Sequence, residues 1–231
     1  MNPSFSRDGV CIAHFLPGYK VNYIRQKLTT HILESLQANI SYDLSCFHLW
    51  YRNCETYYAN AISAKNRHFE TEFWNDIDLI PSLLRYLQIL LPSHMLSVLD
   101  DGLGTSAFRL IRPGFNDGYP PSRKSWAPGD KHLISITIPI IGYSRYESQA
   151  FLLGSHLKEY PSELPTDQKF MSNERRLVNY QNYSFNYFAT RPGDIIIFHW
   201  NTIHSEQIIG KDQTRLALEV RFHDLSTVLN D

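Results

Sequence analysis

A mainly β domain preceded by helices is the fold class this sequence predicts, and three observations carry it. Apolar residues recur at helical spacing through the first hundred or so positions, and from Ser106 onward they switch to period two or to continuous β-branched runs. Pro and Gly turns separate those runs at short intervals, the spacing of a barrel or sandwich with helices packed on one sheet. A chain of 231 residues can bury one sizeable core. The expected organisation is therefore a single domain over 1–231, with a mainly helical part over 1–105 and the β core over 106–223.

Taken in order, the N-terminus MNPSFSRDGVCIAHFLPGYK lacks the basic-then-apolar layout of a secretory signal. Residues 23–40 set Ile24, Leu28, Ile32 and Leu36 on one helical stripe, and residues 78–91 form a second helix with Pro81 near its first turn. The stretch FHLWYRNCETYYANAIS fits neither the helical nor the strand period. SAFRLIR, HLISITIPIIG, QAFLLG, SFNYFAT, DIIIFHW, HSEQII and RLALEVRF are the candidate strands. Between them, HLKEYPSELPTDQKFMSNERRLVNYQN is the one long irregular segment, and a loop of that length is often a lid or a binding loop.

Composition narrows the function classes. Lys plus Arg is 22 against 23 for Asp plus Glu, so a net charge of -1 offers no global field for nucleic acid or an anionic membrane. No run reaches the length of a membrane span. Cys11, Cys46 and Cys54 are odd in number and lack C-x-x-C spacing, which argues against a disulfide framework or thiolate zinc and suits a reducing, cytoplasmic setting. A small-molecule ligand is the expected partner.

RLALEVRF is the most informative strand. Leu216, Leu218, Val220 and Phe222 share one face, which leaves Arg215, Ala217, Glu219 and Arg221 on the other. An inner face that begins with arginine puts a cation into a cavity. Just upstream, RPGDIIIFHWNTIH supplies a Gly turn, an apolar strand and then His204, eleven residues before Arg215.

The stretch RPGDIIIFHWNTIHSEQIIGKDQTRLALEVRF resembles the C-terminal half of Fe(II)- and 2-oxoglutarate-dependent dioxygenases of the phytanoyl-CoA dioxygenase-like family. QAFLLGSHLKEY is similar to the P-G-S-H-K turn of that family, with Leu153 in place of the proline, and FRLIRPGFNDGYPP resembles the strand and loop leading to its metal motif. The resemblance spans roughly 106–222. It implies a double-stranded β-helix (jelly-roll, cupin-like) barrel that holds Fe(II) by two histidines and one carboxylate, leaving positions for 2-oxoglutarate and oxygen. It also implies that His204 is the distal iron ligand and that Arg215 grips the far carboxylate of 2-oxoglutarate, a task suited to a planar guanidinium fork.

The first two ligands of that family come as H-x-D, often within P-x-H-x-D-x-W. This chain reads YPPSRKSW, with Trp126 and the prolines in place but Ser122 where the histidine belongs and Lys124 where the aspartate belongs. A lysine ammonium 4 Å from one unit of metal charge is repelled by about 4 kcal/mol at an effective dielectric of 20, and a divalent ion roughly doubles that. Tight Fe(II) binding at the usual place is not expected. Asp117, Asp130, His132 and His199 are near enough in sequence to be considered as substitute ligands, although Asp117 and Asp130 sit in Gly-containing turns and His199 among core residues.

Other residues carry two readings each. Arg215 is either the oxoacid clamp or the partner of a strand residue such as Glu219, and His204 is either a ligand or a satisfied core histidine. His156 reads as a turn organiser, and Arg175 and Arg176 as a solvated face or as contacts for an anionic substrate. An inward Lys124 would hold the oxoacid end of an anion while Arg215 grips the other, and a desolvated lysine there is the candidate catalytic base or nucleophile. Three functions follow: a diverged protein binding 2-oxoglutarate or another small dicarboxylate without ordinary iron chemistry, an active hydroxylase with relocated ligands, or a non-catalytic interaction scaffold.

Overall fold

The structure, a computed structural model, describes residues 3–35, 43–50, 78–98, 106–113, 121–124, 133–143, 148–158, 162–163, 175–178, 183–206 and 213–228. Its helices are α1 (Pro3–Asp8), α2 (Gly18–Ser35), α3 (Phe47–Trp50), α4 (Leu79–Leu90) and α5 (Leu225–Val228). Its strands are β1 (Val10–His14), β2 (Leu96–Val98), β3 (Ser106–Ile111), β4 (Ser122–Lys124), β5 (Leu133–Ile141) and β6 (Ala150–Phe151), then β7 (Ser162–Glu163), β8 (Arg175–Val178), β9 (Asn186–Tyr187), β10 (Asp194–His199), β11 (His204–Ser205) and β12 (Arg215–Asp224).

Among the described residues these strands form two antiparallel six-stranded sheets. The first runs β1-β10-β5-β12-β2, with β3 sharing the β2 edge of β12, and the second runs β7-β8-β4-β11-β6-β9. The architecture is mainly antiparallel β with a few helices, as expected, and is compatible with a jelly roll. The first sheet also recruits β1 and β2 from the part read as mainly helical. Val10–His14 carries no clean alternation in sequence, and its pairing with β10 is what makes it a strand. The long segment read as irregular contributes two short strands, β7 and β8.

Why the first sheet is buried on both faces follows from period two. Ile134, Ile136, Ile138 and Ile140 of β5, Ile195 and Ile197 of β10, and Leu216, Leu218, Val220 and Phe222 of β12 pack with Ile24, Leu28 and Ile32 of α2 and Leu83 and Leu87 of α4. The helical stripe read from sequence is this contact, with Leu28 and Ile32 fully buried. The intervening residues face the second sheet: Val10, Ile196, Phe198 and Ala217 cluster with Phe151 of β6 and with Tyr143.

Along β12 the alternation survives one irregularity. Its register against β5 slips between Leu216 and Ala217, beside Pro139, which has no N–H to give the ladder and is tolerated at such a bulge. Arg215 therefore keeps the parity of Ala217 and Glu219.

The far end of β12 is clasped by Asp224, which hydrogen-bonds His94 Nδ1 and Ser226 Oγ and accepts from Ser226 N at 3.1 Å. Burial works to raise this carboxyl, but the bonds from His94 and Ser226 outweigh it and the net pKa lies below the ordinary value. A carboxyl whose folded pKa is depressed contributes stability above its unfolded pKa and loses that contribution as pH falls through the folded value. Asp224→Asn is expected to cost about 1–3 kcal/mol near neutral pH. Urea unfolding at pH 7 and pH 3 checks this, the deficit shrinking at the lower pH.

Candidate functional site

The space between the sheets is lined, on the first sheet, by rungs of directly opposed residues. Val10, Phe198, Ser135 and Arg221 form one, and Ile12, Ile196, Thr137 and Glu219 the next. The face is apolar toward β1 and polar toward β12. Arg109 extends the polar side by pairing with Glu219 at 3.1 Å, so the acid considered above as a partner for Arg215 is bridged by a cation on β3. Ser135 and Thr137 are 4% and 1% exposed, and neither hydroxyl finds a hydrogen-bond partner among the described residues.

Arg215 opens β12 on this face at 1% exposure. Its Nη2 donates to the Glu206 carbonyl at 2.6 Å, and its Cζ lies 5.4 Å from the ring centre of Tyr143, close enough for a cation–π contact. Burial pushes the Tyr143 hydroxyl up, Arg215 pulls it down, and Glu219 and Glu206 push it up again, so it stays protonated and able to donate near neutral pH. The backbone that carries Arg215 is held from both sides. Thr214 N donates to Ser45 O at 2.7 Å and Thr214 Oγ1 accepts from His48 N at 3.0 Å.

Gly142 supplies the other restraint. It has φ +68°, and a Cβ there would stand 2.4 Å from the Thr214 carbonyl oxygen. Gly142→Ala is expected to cost about 2 kcal/mol or more, since both the left-handed backbone and the clash oppose it. Thermal unfolding measures that loss.

His204 on β11 faces the same space, with ring centres of Phe198 at 4.8 Å and Phe151 at 6.0 Å. Its Nδ1 bonds the Thr202 carbonyl at 2.9 Å. A carbonyl only accepts, so Nδ1 carries the proton and the lone pair of the neutral ring lies on Nε2, the arrangement that orients metal-binding histidines. The turn after β6 places β11: Ile203 N donates to Ser155 Oγ at 2.8 Å and Leu152 N to Ile203 O at 2.9 Å.

Ser122 stands directly opposite His204 in the second sheet. Opposed residues share a face and so do residues two apart, which puts Ser122, Lys124 and His204 on one face. Lys124 is in turn opposite Arg175. Cysteine, histidine and acidic side chains do not gather in threes as a metal-binding group among the described residues. Asp117, Trp126, Asp130 and His132 lie outside those residues.

Two other histidines are placed elsewhere. His199 has the parity of Ile195 and Ile197, away from His204, and its ring lies 5.5 Å from that of His156. His156 Nε2 donates to Ser6 O at 3.2 Å, tying the turn at 155–157 to α1. Burial pushes the His156 ring below its usual pKa, against the raising effect of that carbonyl and of Asp8.

No protein-family model matches the chain, and no curated relative matches it. Solved structures do. AviO1 from Streptomyces viridochromogenes Tue57 aligns over 96% of this chain and 92% of its own at 12% identity, with a TM-score of 0.62. EvdO2 from Micromonospora carbonacea var. aurantiaca aligns over 96% and 89% at 12% identity, with a TM-score of 0.59. The epimerase SnoN, a non-heme α-ketoglutarate-dependent enzyme of nogalamycin biosynthesis, was solved with Fe3+, α-ketoglutarate and nogalamycin RO. It aligns over 96% and 82% at 14% identity, with a TM-score of 0.55. This chain shares the fold of these structures, among them the α-ketoglutarate-dependent SnoN. At such identities the likeness concerns the fold, and activity has to be argued from the site. No described helix is long and apolar enough to cross a membrane.

Sequence reasoning missed Tyr143, Ser135 and Thr137. The last two had a legible signal, since hydroxyl residues at period two interrupt the isoleucines of LISITIPII. Tyr143 had none, because its place over Arg215 depends on the bulge and the turn at Gly142.

Proposed function

We propose that this chain is a diverged protein of the Fe(II)/2-oxoglutarate dioxygenase fold, with a double-stranded β-helix core and kinship to the phytanoyl-CoA dioxygenase-like group. In this reading it binds a small anionic metabolite between its sheets without an ordinary iron centre. The observation that carries the reading is the pair of unpartnered hydroxyls on Ser135 and Thr137, buried on the face that Arg215 opens. Each buried hydroxyl without a partner costs about 1–3 kcal/mol, which an oxygen-rich ligand there would recover. Arg215 supplies the fork for one carboxylate, and the protonated Tyr143 lies behind it as a neutral donor. An α-ketoglutarate bound in SnoN, on the same fold, supports an oxoacid as the ligand.

The donor set fits the oxoacid better than the metal. Bound iron would supply oxygen activation, and His204 is oriented to ligate it, yet the two positions sharing its face are serine and lysine, neither a ligand of the expected kind. Lys124 instead serves the anion, at the end away from Arg215, and is the residue assigned to any proton transfer. The orientation of His204 favours a second reading, a hydroxylase that recruits Asp117 or His132 as relocated ligands.

Anaerobic titration of the purified chain with Fe(II), with and without 2-oxoglutarate, separates these readings. Oxoacid binding without stoichiometric iron is expected. Iron that binds one-to-one and tightens with 2-oxoglutarate overturns the proposal in favour of the hydroxylase, and binding of neither leaves an interaction scaffold.

A further inference from the structure

Gln149 adds a third buried polar group to the two unpartnered hydroxyls of Ser135 and Thr137. It is 1% exposed, and its Oε1 has no hydrogen-bond partner among the described residues. It stands one residue before β6 with the parity of Phe151, which packs in the cluster between the sheets. Ala150 is opposite both Tyr187 and Ser205. Carried one residue on, that register sets Gln149 beside Phe188, which packs against the same cluster, and beside Glu206. The Glu206 carbonyl is the one that takes Arg215 Nη2 at 2.6 Å. Gln149 therefore belongs to the Arg215 end of the space between the sheets.

An amide oxygen is one-sided in what it recognises. A hydroxyl donates or accepts, so Ser135 and Thr137 suit almost any polar ligand, whereas Oε1 only accepts and needs an N–H or O–H aimed at it. Every oxygen of 2-oxoglutarate is an acceptor at neutral pH. Held by Arg215, that acid would leave Oε1 unanswered and the penalty of burying it unrecovered. We infer that Gln149 is a specificity residue that accepts from a ligand hydroxyl, and that the preferred ligand is a hydroxylated carboxylic acid, its carboxylate on Arg215 and its hydroxyl on Gln149. An ammonium donor is disfavoured there by the buried Arg215 guanidinium. A buried acceptor with nothing to accept also lowers the stability of the empty fold, the pattern of a site that gives up stability for recognition. This inference rests on the reading of Arg215 as a carboxylate clamp and adds to it a second recognition residue and the ligand hydroxyl.

The test is calorimetric titration of the full chain with both enantiomers of 2-hydroxyglutarate, with glutarate, with 2-oxoglutarate and with glutamate. One enantiomer of 2-hydroxyglutarate is expected to bind at least tenfold more tightly than each of the other three acids. In Gln149→Leu and in Gln149→Met it should fall to the level of glutarate. Without ligand, those two variants should melt about 2–4 °C above the parent, the shift that relief of a buried unpaired acceptor brings in a chain of this size. An equal affinity for glutarate in the parent, an advantage that survives both substitutions, or neither variant melting above the parent overturns the role of Gln149. Glutamate binding as tightly as 2-hydroxyglutarate overturns the hydroxyl as its partner. Arg215→Ala reports separately on the clamp. If it weakens every acid while the hydroxyl advantage is absent, only the Gln149 inference fails, and if no acid responds to it the clamp reading fails. Binding of none of these acids to the parent overturns both.

Discussion

The Ser122→His/Lys124→Asp double variant is expected to bind one equivalent of Fe(II) where the parent chain binds none. Position 122 is directly opposite His204 and position 124 lies two residues on along the same face, so the substitutions would place a histidine and a carboxylate beside a histidine whose Nδ1 is already committed to the Thr202 carbonyl. Two terms then change together. A repulsion of about 4 kcal/mol per unit of metal charge, for a lysine 4 Å from the ion at an effective dielectric of 20, becomes an attraction, and the protein ligands rise from one to three. An affinity gain of at least about a thousandfold is the expected scale, since it needs only about 4 kcal/mol. Anaerobic iron titration of parent and variant decides the matter. A parent that already binds iron would locate the ligands elsewhere, and a variant that binds none would contradict the pairing of β4 with β11.

Arg215→Ala is expected to weaken 2-oxoglutarate binding by about a hundredfold, close to 2.7 kcal/mol, the scale of a buried bidentate ion pair. Arg215→Lys should recover only part of that, about tenfold, because a point charge replaces the fork that stacks on Tyr143. Thermal unfolding serves as the control, since Arg215 is fully buried and its loss also affects packing. Equal affinity for 2-oxoglutarate in the parent and in Arg215→Ala would remove the clamp from this strand and leave the Glu206 carbonyl bond as a structural tie.

Much of the fold was legible because the signals are local. The stripe of Ile24, Leu28 and Ile32 needs only the helical period, and the alternation of Leu216, Leu218, Val220 and Phe222 needs only the strand period; both lie in the contact between helices and first sheet. The same alternation sets Arg215 apart from the core face. By contrast, β1 and β2 were not legible, since short strands at a sheet edge acquire their identity from β10 and β12. The reading of residues 156–182 as irregular missed β7 and β8, which at two and four residues are too short to show a period and acquire their identity from the pairing with β4.

What local pattern could establish here is therefore the fold class, the two main helices, the last strand and the identity of the residues at positions 122, 124, 204 and 215. Which of those residues meet was a matter of long-range register. Ser122 opposite His204, Lys124 opposite Arg175, and Ser135 and Thr137 on the face of Arg215 join residues 51 to 82 positions apart. That register is a property of each whole sheet, and a shift of one residue in the strand concerned would turn each of them to the opposite face.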